Sequence, residues 1–270
     1  LMLPVFPLSK KLELADQEEV GSFTKSFPPF SDYNFTSMWS YNTQDNIELS
    51  TLNGNLIVKF CDYVTNVPFF SYIGVLNIPE TTKTLLNNSS REREYLKLVP
   101  ESSLIQSEVR DEFCVEEDID NFDYILTVEK IALLQGVEFG DKRNLVNRFK
   151  GNVKDPQVSL LDLDSQYIKD EINYLVSLWS QNKKTSGSEH VIEQIAINRL
   201  LDSVSSLNGL RAIGVYIEKK LVAFSINEEL DKGYSISHFC KADIAVPGIY
   251  AFLMHETAKM LRITGSKYLN

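Results

Sequence analysis

The 270-residue chain is long enough for one large or two ordinary domains, each with a hydrophobic core. Hydrophobic residues make up 43% and charged residues 24% of the chain, which is typical of a folded globular protein and excludes an intrinsically disordered one. The net charge of −10 argues against a surface that coats DNA, because nucleic-acid binding requires a broad basic face.

Membrane, disulfide-rich and zinc proteins are not indicated either. No apolar run approaches the ~18 residues of a membrane-crossing helix, and no signal peptide is predicted, so we expect a cytoplasmic protein without a membrane span. Because the sequence starts at Leu1 rather than Met, attachment through a segment outside it stays open. The cysteines form no C-x-x-C pair and no H-E-x-x-H motif occurs, so we expect neither disulfides nor a metal site.

The first half of the chain has the mixed pattern of an α+β domain. Its clearest element is a hairpin in which strands at residues 47–50 and 56–61 are joined through Asn53-Gly54, because Asn-Gly fits the positive φ angles of a type I′ turn. An acidic run at residues 108–123 is interpreted as a solvated loop. The other predicted elements are helices at 15–25, 34–39 and 79–86 and strands at 69–75 and 94–98.

The second half begins with a strand at residues 124–128 and a short helix at 129–134. Asp141 then caps a helix with an apolar stripe, and this segment is basic although the chain is acidic. Its basic side chains are Lys142, Arg143, Arg148, Lys150 and Lys154. Two interpretations stay open, a local anion site or a solvated helix face that balances the acidic run.

Beyond this helix the predicted order is strand, helix, helix, three strands, helix and strand. The predicted strands lie at 158–163, 211–217, 221–227, 234–241 and 267–270, and the predicted helices at 168–179, at 197–207 and from 247 onward. A polar loop is predicted at residues 181–189 between the first two helices. This order matches the acyltransferase fold of the GNAT superfamily, in which an acyl donor lies between two central strands and its phosphates contact the helix after the fourth strand.

The stretch from Tyr234 to Leu261 predicts a strand, a tight loop and a helix. Its first residues alternate in character, and helical spacing of apolar residues follows from Tyr250. Pro247 suits the first helical position, and Gly248 allows the backbone to approach a ligand closely. The unpaired N–H groups of a helix N-terminus favour an anion, although such a unit is also common in ordinary α/β packing.

Five stretches, in order along the chain, resemble one family. They are FPPFSDYNFTSMW at 27–39, DNFDYIL at 120–126, KRNLVNRFK at 142–150, HFCKADIAVPGIY at 238–250 and YLN at 268–270. They resemble the family of the C-terminal domain of phosphatidylglycerol lysyltransferase, whose known members move an aminoacyl group from charged tRNA to a lipid head group. Stand-alone members of this family are mostly of unknown substrate.

The resemblance implies an α+β protein with two tandem GNAT-like acyltransferase domains, at residues 1–135 and 136–270. Each domain is expected to be a mixed, mostly antiparallel sheet flanked by helices. Family members usually continue past the strand that matches YLN. We therefore expect the second domain to be truncated or disordered beyond Asn270, with part of its site missing.

The resemblance also implies attack of an amine or a hydroxyl on an activated acyl carbonyl. The donor would be acyl-CoA or aminoacyl-tRNA and the acceptor a small molecule or a lipid head group. Such a reaction needs a cradle for phosphates, hydrogen-bond donors for the oxyanion and a proton acceptor. The predicted donor-binding residues are Lys142, Arg143, Asn144, Asn147, Lys241, Pro247 and Gly248. The predicted catalytic groups are His238 as base, Glu228, Glu229 and Asp243 as its rivals, Tyr250 at the leaving group, and main-chain N–H groups near 238–240 for the oxyanion.

Each assignment has a structural alternative. His238 equally fits a buried core histidine, and Glu228 fits a strand end. Tyr250 lies on the apolar stripe of its helix, and the two asparagines of the basic helix fit loop caps. The alternative function is a non-catalytic GNAT-like module that binds a ligand for regulation. No P-loop, dinucleotide-binding fingerprint or G-x-S-x-G elbow in the sequence supports another chemistry.

Overall fold

The structure, a computed structural model, describes residues 2–62, 65, 67–89, 95–104, 109–182 and 188–270. The chain divides into two compact units, Leu1–Asp123 and Tyr124–Asn270, which we call unit 1 and unit 2. The boundary expected from the sequence, after residue 135, lies twelve residues beyond Asp123. The reason is that a strand and a helix at residues 126–133 pair and pack within unit 2.

Unit 1 contains one sheet with helices around it. Its elements are β1 (Lys10–Lys11), α1 (Gln17–Thr24), α2 (Phe35–Tyr41), β2 (Glu48–Leu52), β3 (Asn55–Cys61), β4 (Pro68–Ile73), α3 (Ile78–Asn87), α4 (Glu101–Leu104) and α5 (Val109–Glu112). The sheet has the order β1-β2-β3-β4, and all neighbouring strands are antiparallel.

The hairpin predicted in unit 1 is confirmed, and one predicted strand is wrong. Asn53 and Gly54 have φ angles of 52° and 81°, as a type I′ turn requires. In the strand predicted at 94–98, residue 94 lies outside the described residues, and the remaining four form no strand. Leu98 has a φ of 57°, a left-handed conformation that an extended strand cannot contain.

Unit 2 contains a larger sheet. Its elements are β5 (Leu126–Thr127), α6 (Val128–Leu133), α7 (Gly140–Asn152), β6 (Gln157–Leu160), α8 (Gln166–Asn182), α9 (Ser188–Asp202), β7 (Leu210–Ile217), β8 (Lys220–Glu229), β9 (Tyr234–Ala242), α10 (Ile249–Ile263) and β10 (Tyr268–Leu269). The sheet has the order β5-β10-β9-β8-β7-β6, and only the β9–β10 pair is parallel. The polar loop predicted at 181–189 is shortened by α8 and α9, and residues 183–187 lie outside the described residues.

The two units share one order of elements, and the predicted fold class is confirmed. In each unit a strand is followed by two helices, three antiparallel strands and a further helix, and unit 2 then adds a parallel strand. The protein is therefore α+β, with two tandem units that each contain a mostly antiparallel sheet flanked by helices. Within the described residues, no helix is long and apolar enough to cross a membrane.

The helix α10 is fixed by two apolar clusters in unit 2. At its N-terminal half, Phe252 stacks on Phe149 of α7 with the ring centroids 4.3 Å apart. At its C-terminal half, Ala258 and Leu261 pack with residues of α6 and β10. Burial of each large apolar side chain contributes about 1.5–3 kcal/mol. This packing holds the N-terminus of α10 against α7 at one end of the sheet.

Candidate functional site

The strand β9 contains a β-bulge where it pairs with β8. Ile226 pairs with Phe239 and Asn227 with Ser237, so His238 is one extra residue on β9. The His238 imidazole is only 2% exposed, although the residue as a whole is partly exposed, so its accessible surface lies on the main chain. Bulges bend a strand and are frequent beside active sites. This bulge presents main chain, rather than a side chain, to solvent.

The imidazole of His238 is paired with a carboxylate of the neighbouring strand. His238 Nε2 lies 2.9 Å from Glu228 Oε2, and the Glu228 side chain is 9% exposed. With Glu228 ionised, the Nε2–H group donates this hydrogen bond. Because a buried carboxylate is costly without a partner, each of these side chains depends on the other. The structure thus brings together two of the predicted catalytic residues, and it places both of them in the interior.

The parallel strand β10 pairs with the part of β9 that precedes the bulge. Asn270 N donates to Ser235 O, and Ser237 N donates to Asn270 O, both at 2.9 Å. The second of these hydrogen bonds joins Asn270 to the residue that directly precedes His238.

The loop between β9 and α10 ends at position 248, where a residue other than glycine would be strained. Gly248 has a φ of 83°, and an added Cβ would lie 2.4 Å from the Leu145 carbonyl oxygen of α7. Gly248 is the N-cap residue of α10, so the helix begins later than the predicted start at Pro247. Pro247 precedes the N-cap, and its expected place at the first helical position is wrong. The left-handed conformation of Gly248 explains the difference, because a helix cannot continue through it.

The first turn of α10 leaves main-chain donors unused. Among the residues that the structure describes, the N–H groups of Gly248, Tyr250 and Ala251 have no hydrogen-bond partner. Such groups, together with the helix dipole, attract anions at the N-terminus of a 15-residue helix. Asp243 shapes the loop, because its Oδ1 accepts a hydrogen bond from Ala245 N at 2.9 Å.

Not every basic side chain of α7 is available to bind an anion. Arg143 Nη1 donates to the Leu134 and Gly136 carbonyl oxygens at 2.6 and 2.7 Å, so this guanidinium holds the chain that follows α6. Lys142, Asn144 and Asn147 are exposed on the same helix. The contact between Gly248 and the main chain of α7 brings this helix beside the N-terminus of α10.

Lys241 of β9 contacts α8 and α9. Its ammonium is 2.6 Å from Glu193 Oε1 and 4.0 Å from the centroid of the Trp179 ring. Burial raises the pKa of Tyr250, and hydrogen bonds with the Ala242 main chain and with Trp179 partly offset this. Lys241 is therefore engaged in an ion pair and a cation–π contact, and its assignment to donor phosphates has no support in this geometry.

Several residues of this region were missed from the sequence. Trp179 and Glu193 join α8 and α9 to β9, and they gave no signal because they are distant from Lys241 in the chain. Asn227 lies fully buried opposite Ser237, and its Oδ1 has no partner within the described ranges. In the same ranges, no group of three or more histidine, cysteine, aspartate or glutamate residues could hold a metal ion.

Solved structures with the same fold span nearly the whole chain. A conserved protein of unknown function from Bacteroides thetaiotaomicron is 23% identical, with a TM-score of 0.75 over 97% of this chain and 88% of that one. The C-terminal domain of a putative lysylphosphatidylglycerol synthetase from Agrobacterium fabrum is 12% identical, with a TM-score of 0.57 over 96% of this chain and 78% of that one. L-PGS from Bacillus licheniformis is 15% identical, with a TM-score of 0.57 over 94% and 77%. At these identities the likeness shows the fold alone.

Sequence comparison identifies the family. No match is found among curated protein sequences. The profile of the family described as phosphatidylglycerol lysyltransferase, C-terminal, matches residues 25–270, which is most of the chain and includes all five stretches that carried the resemblance. The chain belongs to the family of the C-terminal domain of phosphatidylglycerol lysyltransferase.

Proposed function

We propose that unit 2 is an acyltransferase that moves an acyl or aminoacyl group from acyl-CoA or aminoacyl-tRNA to an amine or a hydroxyl. The observation that carries this proposal is the arrangement along β9 and α10. An accessible bulge at His238 and a helix N-terminus with unused N–H groups flank one short loop. An acyl donor needs both features, because its carbonyl and its phosphates must be held at the same time.

The donor phosphates are assigned to the first turn of α10. The N–H groups of Gly248, Tyr250 and Ala251 supply hydrogen bonds, and the exposed Lys142 on the adjacent α7 adds positive charge. Both CoA and the 3′ end of tRNA carry phosphates, so this site accepts either donor. The negative charge of the whole chain favours the smaller contact surface of CoA over tRNA.

The transfer step follows from the proposed placement. The lone pair of the acceptor attacks the acyl carbon. The carbonyl oxygen becomes an oxyanion, which accepts hydrogen bonds from main-chain N–H groups at the bulge. The thiolate of CoA or the ribose oxygen of tRNA then leaves. The acceptor loses one proton, and the leaving group gains one. Tyr250, close to the helix N-terminus, stays the predicted proton donor, and the sequence-based assignment of His238 or Glu228 as the base stays a prediction.

The acceptor is proposed to be a small molecule or a lipid head group, in keeping with the family. A cytoplasmic location is part of the same proposal, because both donors are cytoplasmic metabolites. The alternative function, a ligand-binding module without catalysis, shares the anion site at α10 but requires no bond to break.

A thermal-shift experiment tests the proposal. Acetyl-CoA, longer acyl-CoAs and an aminoacyl-tRNA analogue should raise the melting temperature if they bind the folded protein. Lys142→Ala should reduce that rise, whereas Lys83→Ala, an exposed lysine of α3 in unit 1, should leave it unchanged. If no donor stabilises the protein, the acyltransferase proposal is wrong. Stabilisation without release of deacylated donor to any amine or hydroxyl would instead favour the non-catalytic module.

A further inference from the structure

The strand β6 forms one edge of the sheet in unit 2. It is the outermost strand next to β7, and all four of its residues are exposed. Leu161, directly after β6, donates its N–H to the Ala212 carbonyl oxygen of β7 at 2.9 Å. Because hydrogen-bonded residues alternate along an antiparallel ladder, the main-chain groups of Val158 and Leu160 point away from β7. These groups have no hydrogen-bond partner among the residues that the structure describes.

The other three sheet edges have features that hinder pairing with another chain. The edge strands β1 and β5 have two residues each, and β1 consists of Lys10 and Lys11. The edge strand β4 begins with Pro68 and is buried over its last three residues. Short strands, lysines and prolines are the usual means by which an edge is kept from pairing. The residues of β6, QVSL, include neither a charge nor a proline, so β6 is able to accept a further strand.

One face of β6 is apolar. Val158 and Leu160 lie opposite Val215 and Ile213 of β7, which belong to the buried apolar cluster under α7 and α10. Residues that are opposite each other in a sheet share a face, so the two side chains continue this core face to the edge. They are nevertheless 39% and 63% exposed. A partner strand at this edge would remove their apolar surface from water.

We propose that β6 pairs with β6 of a second copy of the chain, antiparallel and about a two-fold axis. The outward-facing residues must then lie opposite each other. With Val158 opposite Leu160 of the second copy, the two pairs form four main-chain hydrogen bonds, and Ser159 lies opposite Ser159 of the second copy on the axis. A shift of register by two residues would place Leu160 opposite Pro156, which lacks an N–H, or Val158 opposite the charged Asp162.

The charges beside β6 favour the same arrangement. In antiparallel pairing about Ser159, each end of one strand meets the opposite end of the other strand. The acidic end of β6 is followed by Asp162 and Asp164, whereas Lys154 precedes the other end, five residues before Ser159. Lys154 of each copy is thus brought to Asp164 of the other. Three lysines and two acidic residues lie at the end with Lys154, where the β7–β8 turn is adjacent to Gln157: Lys154, Asp155, Glu218, Lys219 and Lys220.

Sedimentation velocity tests the dimer and its charges. Over a series of roughly 1–100 μM, the 30.8 kDa chain should shift to a species of twice that mass. Lys154→Asp and Asp164→Lys should each weaken association roughly tenfold, because each creates two like-charged contacts, and the double variant should restore it. Lys83→Asp changes the net charge as Lys154→Asp does, but at an exposed site in α3 of unit 1, so it should leave association unchanged.

A proline tests the main-chain hydrogen bonds. Val158→Pro removes an outward N–H but none that bonds to β7, so the chain should keep its unfolding transition and lose the dimer. Val158→Thr keeps the N–H and the β-branched shape, and its dimer should persist. If Val158→Pro fails to fold, Val158→Lys gives the same measurement, because it keeps the backbone and places a charge at the edge.

A cysteine at the axis tests the register. In a background with the exposed Cys114 replaced by serine, Ser159→Cys should form a disulfide between two copies on mild oxidation, since directly opposite residues have Cα atoms about 4.5 Å apart. Gln157→Cys is the matched control on the same face. The two copies of this residue would be about 13 Å apart, so no disulfide should form.

These measurements have outcomes that contradict the proposal. A chain that stays monomeric throughout the series, or a dimer that persists unchanged in Val158→Pro and Val158→Lys, would show that β6 does not bind a second copy. Equal cross-linking of Ser159→Cys and Gln157→Cys would refute the register. None of these outcomes concerns donor binding, so the acyltransferase proposal is tested separately.

Discussion

Units 1 and 2 repeat one order of elements, but the loop between the last antiparallel strand and the next helix is filled by a side chain in unit 1 and lies against the main chain of α7 in unit 2. In unit 1, the Asn55 side chain occupies this loop. Its Nδ2 donates to the Leu76 carbonyl oxygen at 2.6 Å, and its Oδ1 accepts from Leu76 N at 3.1 Å. A Cβ added to Gly74 would lie 2.0 Å from Asn55 Oδ1, so the side chain leaves no space.

In unit 2, the equivalent loop ends at Gly248, beside the Leu145 carbonyl group of α7. Asp243 accepts one main-chain hydrogen bond, and the first turn of α10 keeps N–H groups that have no partner among the described residues. The strand pairs that precede the two loops also differ. The ladder between β3 and β4 runs without a shift of register, whereas the ladder between β8 and β9 contains the bulge at His238.

The two loops favour different tasks for the two units. In unit 1, both main-chain groups of Leu76 are bonded to Asn55, so an anion would have to displace that side chain to reach them. In unit 2, the N–H groups of Gly248, Tyr250 and Ala251 have no partner among the described residues. This difference favours unit 2 as the donor-binding unit.

The chain also has one tryptophan in each unit, Trp39 and Trp179, so fluorescence of a Trp39→Phe or a Trp179→Phe background can follow either unit separately.

The largest expected effect is that of Gly248→Val. A β-branched residue in a left-handed conformation, with its Cβ 2.4 Å from the Leu145 oxygen, should lower the free energy of unfolding of unit 2 by about 3–4 kcal/mol. It should also abolish stabilisation by donors. Urea denaturation in the Trp39→Phe background measures the first effect. Gly151→Ala is the matched control in α7, where no atom lies within 4 Å of an added Cβ, and it should stabilise the protein by less than about 1 kcal/mol.

A substitution in the filled loop should affect only unit 1. Asn55→Ala removes the side chain that bonds to both main-chain groups of Leu76, and we expect it to lower the free energy of unfolding of unit 1 by about 3 kcal/mol. The response of the protein to donors should remain. Asn87→Ala, at an exposed site in α3, is the control and should change stability little. Loss of the donor response in Asn55→Ala would contradict the assignment of separate tasks.

Two adjacent basic residues of α7 should behave differently. Arg143→Ala removes a guanidinium that bonds to the Leu134 and Gly136 carbonyl oxygens, so it should destabilise unit 2 by about 2 kcal/mol. Lys142→Ala should leave stability within about 0.5 kcal/mol but weaken donor binding roughly threefold. Calorimetry and urea denaturation on both variants separate the effects. Equal stability losses would show that the exposed lysine has a structural role.

The sequence predicted those parts of the fold that depend on local patterns. The turn at Asn53-Gly54 follows from the residues themselves, and the strand-loop-helix segment from Tyr234 to Leu261 follows from alternation and helical spacing. The GNAT-like order of elements was predicted from the order of such segments along the chain and from the family resemblance. Local signals sufficed because turns and periodic faces are formed by residues close together in the chain.

The candidate site was harder to predict because its contacts depend on register. The bulge at His238 is invisible in the sequence, since it exists only relative to the pairing of β8 with β9. The same register brings Glu228 to His238, a pair that the sequence treated as rivals for one role. Lys241 and Arg143 were expected at phosphates, but each meets an acceptor that lies elsewhere in the chain, Glu193 in one case and main-chain carbonyls in the other.

An effect smaller than that of Arg143→Ala is expected from a pH dependence confined to unit 1. Burial raises the pKa of Asp32 to about 6, and the charge of Asp123, which accepts a hydrogen bond from Ser31 Oγ at 2.5 Å, adds to the increase. Because the folded-state pKa lies above the ordinary value of about 4, the folded state binds the proton more tightly, so stability is highest at low pH and falls as the pH rises through about 6. Asp32→Asn removes the buried charge. It should raise the free energy of unfolding of unit 1 by about 1–2 kcal/mol at pH 7.5, and the gain should disappear near pH 4.

This pH dependence also tests whether the units unfold independently. In the Trp179→Phe background, fluorescence of Trp39 reports on unit 1, and the gain from Asp32→Asn should appear there. In the Trp39→Phe background, the transition of unit 2 should not move. Asp120→Asn, at an exposed position of the same acidic segment as Asp123, is the control and should show no pH-dependent gain. A gain in both transitions would mean that the units unfold as one. The stability of each unit would then be measured on that unit alone.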